Sequence, residues 1–149
     1  MRIASSPVYL DTSALAKLYV PEGESRLLEE ALIGRRDVLV SDLAVTELVS
    51  VLMRRVRERL LPAESAMTIH RIVTHHLMIE MLHRVVLDEA THREAERLLI
   101  RLGDRIALRA ADAMHLALAV RAQAKSLVTF DRRMTIAAQA VGLFELPVT

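Results

Sequence analysis

Short apolar runs separated by longer stretches of helical period constrain this chain more than any other feature. "PVYLD" (7–11), "DVLVS" (37–41), "HRVVLD" (83–88) and "SLVTFD" (126–131) are too short for helices and rich in β-branched or aromatic residues, so each is predicted as a strand. Between them the apolar residues recur at three and four. Val45, Leu48, Val49, Leu52 and Val56 line one side of a helix predicted from Asp42 to Leu60. Helices are likewise predicted over 12–20, 24–33, 62–77, 89–102, 109–124 and 132–141. Pro21 with Gly23 ends the first, Gly34, Gly103 and Gly142 close others, and Pro62 opens one at the position where its missing N–H costs nothing. "LFELPV" is predicted as a fifth strand, at an edge because it contains Pro147. Strands that alternate with helices dictate βαβ units and a short, mostly parallel sheet covered on both faces. With no repeat or linker, the chain is predicted as one α/β domain over residues 1–149.

Composition removes several classes of function. The 149 residues include no cysteine, which excludes disulfides, thiolate metal sites and a cysteine nucleophile. No run reaches the ~18 apolar residues of a membrane span, and "MRIASSPVYLD" lacks the apolar core of a secretory signal. A soluble, cytoplasmic protein is expected. Net charge is +1, so any nucleic-acid contact must use local patches rather than a global basic field. The hydrophobic fraction of 52% is high, and part of it is expected to meet a partner chain.

Ligands in an open parallel sheet bind outside the carboxyl ends of the strands. Among the predicted strands, "PVYLD" and "SLVTFD" end there on the carboxylates Asp11 and Asp131. Two further acids, Glu47 in "AVTELVSVL" and Asp112 in "AADAMHLALAV", interrupt otherwise apolar helical faces. Each has a plain structural reading. Asp11 and Asp131 suit helix N-caps, and Glu47, more than a turn beyond its helix start, would pair with a helix-face arginine. Asp112 sits where a capping box places its acid, but Arg109 stands where that motif wants Ser or Thr. Favouring the helix dipole accounts for only about 0.3–1 kcal/mol. Taken together, four carboxylates in one crevice repel one another unless a cation joins them. Mg²⁺ accepts oxygen ligands and retains several waters, and such a site suits phosphodiester hydrolysis.

Other chemistries fit less well. His70 and His75 are five residues apart and no HExxH accompanies them, whereas His115 lies on nearly the same helix face as Asp112. No GxxxxGK[ST], GxGxxG or GxSxG is present, and Ser13 stands where a phosphoaspartate enzyme would carry a second Asp. Arg54, Arg55, Arg57 and Arg59 could grip phosphate or an acidic partner segment; Arg57 and Arg59 read instead as a solvated helix end that complements the dipole, while both readings stay open for Arg54 and Arg55. Arg132 and Arg133, directly after Asp131, are better placed for substrate phosphate.

"YLDTSALAKLYVPE", "TELVSVLMRR", "AADAMHLALA" and "LVTFDRRM", in that order and over essentially the whole chain, resemble the acidic signature of PIN-domain ribonucleases, most closely the VapC-type toxins of toxin–antitoxin pairs. The resemblance implies a PIN-like three-layer sandwich and Mg²⁺- or Mn²⁺-dependent cleavage of RNA. It places metal ligands at Asp11 and Asp112, completes the acidic pocket with Glu47 and Asp131, and makes Ser13 the hydroxyl that holds the first Asp. It also implies homodimers and a cognate antitoxin. Two alternatives share the fold: an RNA-processing nuclease without a toxin role, and a module that binds RNA or protein without cutting.

Overall fold

The computed structural model describes residues 6–20 and 23–146. Pro21 as a helix breaker and Pro147 as an edge-strand marker lie outside the described residues. The chain runs β1 (Val8–Leu10), α1 (Thr12–Tyr19), α2 (Ser25–Leu32), β2 (Val38–Ser41), α3 (Asp42–Arg57), α4 (Ala63–Met78), β3 (His83–Val85), α5 (Glu89–Leu102), α6 (Ala110–Arg121), β4 (Ser126–Val128), α7 (Arg132–Ala140) and β5 (Phe144–Glu145). The five strands form one sheet in the order β3-β2-β1-β4-β5, and every pairing is parallel. The sheet of four to five strands expected from the sequence therefore has five among the described residues, with no antiparallel member among them.

Strand order decides where the helices go. From β1 the chain steps outward to β2 and β3, then returns past β1 to β4 and β5. Right-handed crossovers made in opposite directions place their helices on opposite faces. One core accordingly joins Leu15 (α1), Leu28 (α2), Leu48 and Leu52 (α3) and Val73 (α4) to Val8, Leu10, Val38 and Val40. The other joins Leu98 (α5), Leu116 and Leu118 (α6) and Met134 (α7) to Tyr9 and Leu127. Successive β1 residues thus enter different layers, as the twofold period of a strand requires, and three layers result. Helix α6 buries Ala113, His115, Leu116, Ala117, Leu118 and Ala119, which explains why its sequence is apolar on nearly every side.

β1 pairs with both β2 and β4, Leu10 lying opposite Val40 and Val128. The point where strand order reverses is therefore between β1 and β4. Crevices form there at the carboxyl ends of open α/β sheets, and there the chain carries its acids.

Candidate active site

Asp11 follows the central strand directly and caps α1. Its Oδ1 accepts from the Ala14 N–H at 3.0 Å and from the Ser13 hydroxyl at 2.7 Å. The residue is only 6% exposed. Burial pushes its carboxyl above the usual range, more than hydrogen bonds from Thr129, Ser13 and Ala14 and the charge of His115 pull it down. Burial therefore favours the neutral carboxyl, and a cation placed nearby would favour its ionised form instead. Ser13 also accepts the Phe130 N–H at 2.9 Å, and Thr129 Oγ1 accepts the Asp131 N–H at 3.1 Å. Side chains thereby replace the sheet ladder just beyond β4.

Glu47 is held by side chains rather than by a helix terminus. Its Oε1 accepts from Thr12 Oγ1 at 2.7 Å and lies 2.6 Å from His115 Nε2. A carboxylate only accepts, so Nε2 carries a proton. Nδ1 of the same ring is 2.6 Å from the Tyr9 hydroxyl, which donates to Ser41 Oγ at 2.8 Å. Burial drives the Tyr9 phenol well above its ordinary value, so it stays protonated. The hydrogen bond from His115 comes first in holding Glu47 below the ordinary carboxylate range, against its own desolvation and with help from Thr12 and the charge of Arg109. The plain reading of the sequence paired Glu47 with an arginine; the structure gives it a buried histidine as its hydrogen-bond partner, with the charge of Arg109 acting from farther away.

Asp112 lies in the first turn of α6. Its Oδ2 accepts the Arg109 N–H at 3.0 Å. Half of a capping box forms after all: the acid reaches back to the N-cap amide, while the arginine has no oxygen with which to return the bond. The Arg109 guanidinium then spans two acids, with Nε 3.6 Å from Asp112 Oδ2 and Nη2 3.8 Å from Asp131 Oδ2. Asp131 caps α7 by accepting the Arg133 N–H at 2.9 Å, and the Arg133 guanidinium stands 3.5 Å away. Burial raises the Asp131 carboxyl, but these bonds and charges outweigh it and leave the group lowered. Arg132 is exposed at the same helix start.

Arg109 and His115 thus connect all four predicted acids, the first acting on Glu47, Asp112 and Asp131 and the second on Asp11 and Glu47. Among the described residues, no three His, Asp or Glu side chains form a ready metal-binding group. The donor set nevertheless fits a hard cation. Every acid offers oxygen, and Mg²⁺ takes one or two carboxylates directly while water and substrate oxygen fill the rest. Tyr9, Thr12, Thr129 and Arg109 were not singled out as site residues by the sequence. Only Thr12, adjacent to Asp11, and Arg109, one turn before Asp112, carried a positional signal.

The PIN domain family matches residues 8–140. VapC20 of Mycobacterium tuberculosis, a sarcin–ricin loop cleaving toxin, superposes with a TM-score of 0.70 at 17% identity, over 93% of this chain and 97% of its own. FitAcB of Neisseria gonorrhoeae gives 0.68 at 17% identity, over 95% of this chain and 97% of its own. PAE2754 of Pyrobaculum aerophilum gives 0.60 at 21% identity, over 94% and 89%. A comparison with curated protein sequences finds no match.

Proposed function

This chain belongs to the PIN domain family, and from that premise we propose that it is an endoribonuclease dependent on Mg²⁺ or Mn²⁺, the toxin of a toxin–antitoxin pair. One observation carries the reading. Asp11 is buried at the strand-order reversal, its charge disfavoured by its surroundings, and His115 and Arg109 link it electrostatically to Glu47, Asp112 and Asp131.

Asp11 and Asp112 would hold the ion, with Glu47 and Asp131 completing the pocket directly or through water. Bound there, a divalent ion activates water and neutralises charge on the departing oxygen. The chain's own residues do the rest. Ser13 fixes the Asp11 rotamer, Thr12 and His115 keep Glu47 ionised and oriented, and Arg132 and Arg133 offer charge to backbone phosphate. No helix among the described residues is long and apolar enough to cross a membrane. One further feature supports the toxin reading. Ile33, Ile79 and Met81, all exposed along one groove, leave apolar surface for an antitoxin or a second copy of the chain.

End-labelled tRNA and rRNA fragments incubated with Mg²⁺ or Mn²⁺ test the proposal. Discrete products are expected that vanish in EDTA and with Asp11→Asn or Asp112→Asn, both variants remaining folded. Cleavage at wild-type rate by both variants would overturn the site; cleavage undiminished in EDTA would overturn the metal.

A further inference from the structure

The guanidinium of Arg109 occupies the place where the proposed site needs positive charge. It reaches Asp112 at 3.6 Å and Asp131 at 3.8 Å, and its charge acts on Glu47 as well. Resting on the metal-dependent reading above, we infer that Arg109 is a built-in counter-ion: it neutralises the acidic pocket in the metal-free protein and competes with the divalent cation for Asp112 and Asp131.

Three features make the arginine displaceable rather than structural. Both approaches exceed hydrogen-bond range, so charge rather than directed bonding holds it. Its side chain is 69% exposed, so withdrawal into water leaves neither a void nor an unpaired buried charge. The contact that fixes the Asp112 rotamer comes from the Arg109 backbone N–H, not its side chain, and survives when the guanidinium leaves. A single residue thus orients one acid through its amide and screens two through its side chain. Binding the ion exchanges one cation for another, which lowers apparent metal affinity while protecting the empty site from carboxylate repulsion. Arg109 is in these terms a positioning residue.

Mn²⁺ affinity measured by titration calorimetry, without RNA, reads this directly, paired with melting curves in EDTA. Arg109→Gln removes the charge and shortens the side chain, and it keeps the backbone N–H that bonds Asp112. It should bind Mn²⁺ about fivefold more tightly than wild type, the scale set by two exposed ion pairs, and melt lower in EDTA. Arg109→Lys keeps the charge and should stay within about twofold of wild type. Equal or weaker Mn²⁺ binding by Arg109→Gln, with wild type binding normally, overturns the counter-ion role and leaves the metal site standing. Absence of Mn²⁺ binding by wild type and variants alike overturns the metal reading, and the counter-ion role with it.

Discussion

Tyr9→Phe isolates the buried network beneath the acids. Phenylalanine refills all of the site except the hydroxyl, and the edge-on contact of the ring with His115, centroids 5.8 Å apart, is retained. What disappears is one donor–acceptor oxygen lying 2.8 Å from Ser41 Oγ and 2.6 Å from His115 Nδ1. Ser41 keeps the Ala44 N–H that it accepts as the α3 cap, so its loss is a single bond, about 1 kcal/mol. His115 is 4% exposed and keeps no other partner at Nδ1 among the described residues. An unpaired buried nitrogen costs roughly 1–2 kcal/mol more. For a chain of this length the sum of about 2–3 kcal/mol lowers Tm by roughly 6–9 °C. Melting followed by circular dichroism in EDTA measures it. Because Nε2 still bonds Glu47, Mn²⁺ affinity should remain within about twofold of wild type. A fall in Tm below about 1 °C would show that water replaces the hydroxyl without loss, and would refute the reasoning that the network is closed to solvent.

Asp11→Asn should melt above wild type at pH 7 in EDTA. The Asp11 carboxyl is raised by burial, so its stabilising contribution is complete below the ordinary value of 3.8 and is lost as pH rises through the folded value. The advantage of the variant should therefore shrink as melting is repeated toward pH 4; a variant no more stable than wild type at pH 7 contradicts it. Glu47→Gln has the opposite sign. Glu47 is lowered, chiefly by its hydrogen bond from His115, so it stabilises above the ordinary value of 4.5 and loses that contribution as pH falls through the lowered one. The variant should melt about 3 °C lower at pH 7, the worth of roughly one hydrogen bond, and converge on wild type in acid. A difference independent of pH would count against the pairing.

The parallel α/β class was legible because its signal is local: short apolar runs and threefold-to-fourfold periods need no knowledge of pairing. Strand order was not legible, since which runs become neighbours is a non-local outcome, and the central place of β1 emerges only in the structure. Element ends were legible where glycine marks them, as at Gly142 with φ 81°. They were not where an ordinary residue turns the chain. Helix α6 stops at Arg121 rather than at 124 because Gln123 adopts φ 58°, and α3 stops at Arg57, with Arg59 at φ 59°. The strand read as reaching Asp131 ends at Val128, because the hydroxyls of Ser13 and Thr129 take the N–H groups of Phe130 and Asp131.

For the acids, capping was the plain reading of the sequence and metal binding the one that the resemblance implied, and the structure shows that the aspartates do cap. One oxygen of each aspartate is committed to a helix start: Asp11 Oδ1 to Ala14 N–H, Asp112 Oδ2 to Arg109 N–H, Asp131 Oδ1 to Arg133 N–H. A cap needs one acceptor, and a carboxylate has two oxygens with about four lone-pair sites. Capping thus locks each rotamer and still leaves acceptor capacity on each carboxylate. Under the proposed metal-dependent reading, the same bonds that begin α1, α6 and α7 would preorganise the carboxylates, so that the ordering entropy of a floppy ligand is spent during folding. Glu47 sits mid-helix with no terminus to cap, and side-chain partners alone, Thr12 and His115, give it the same fixity. The buried histidine network follows from that difference.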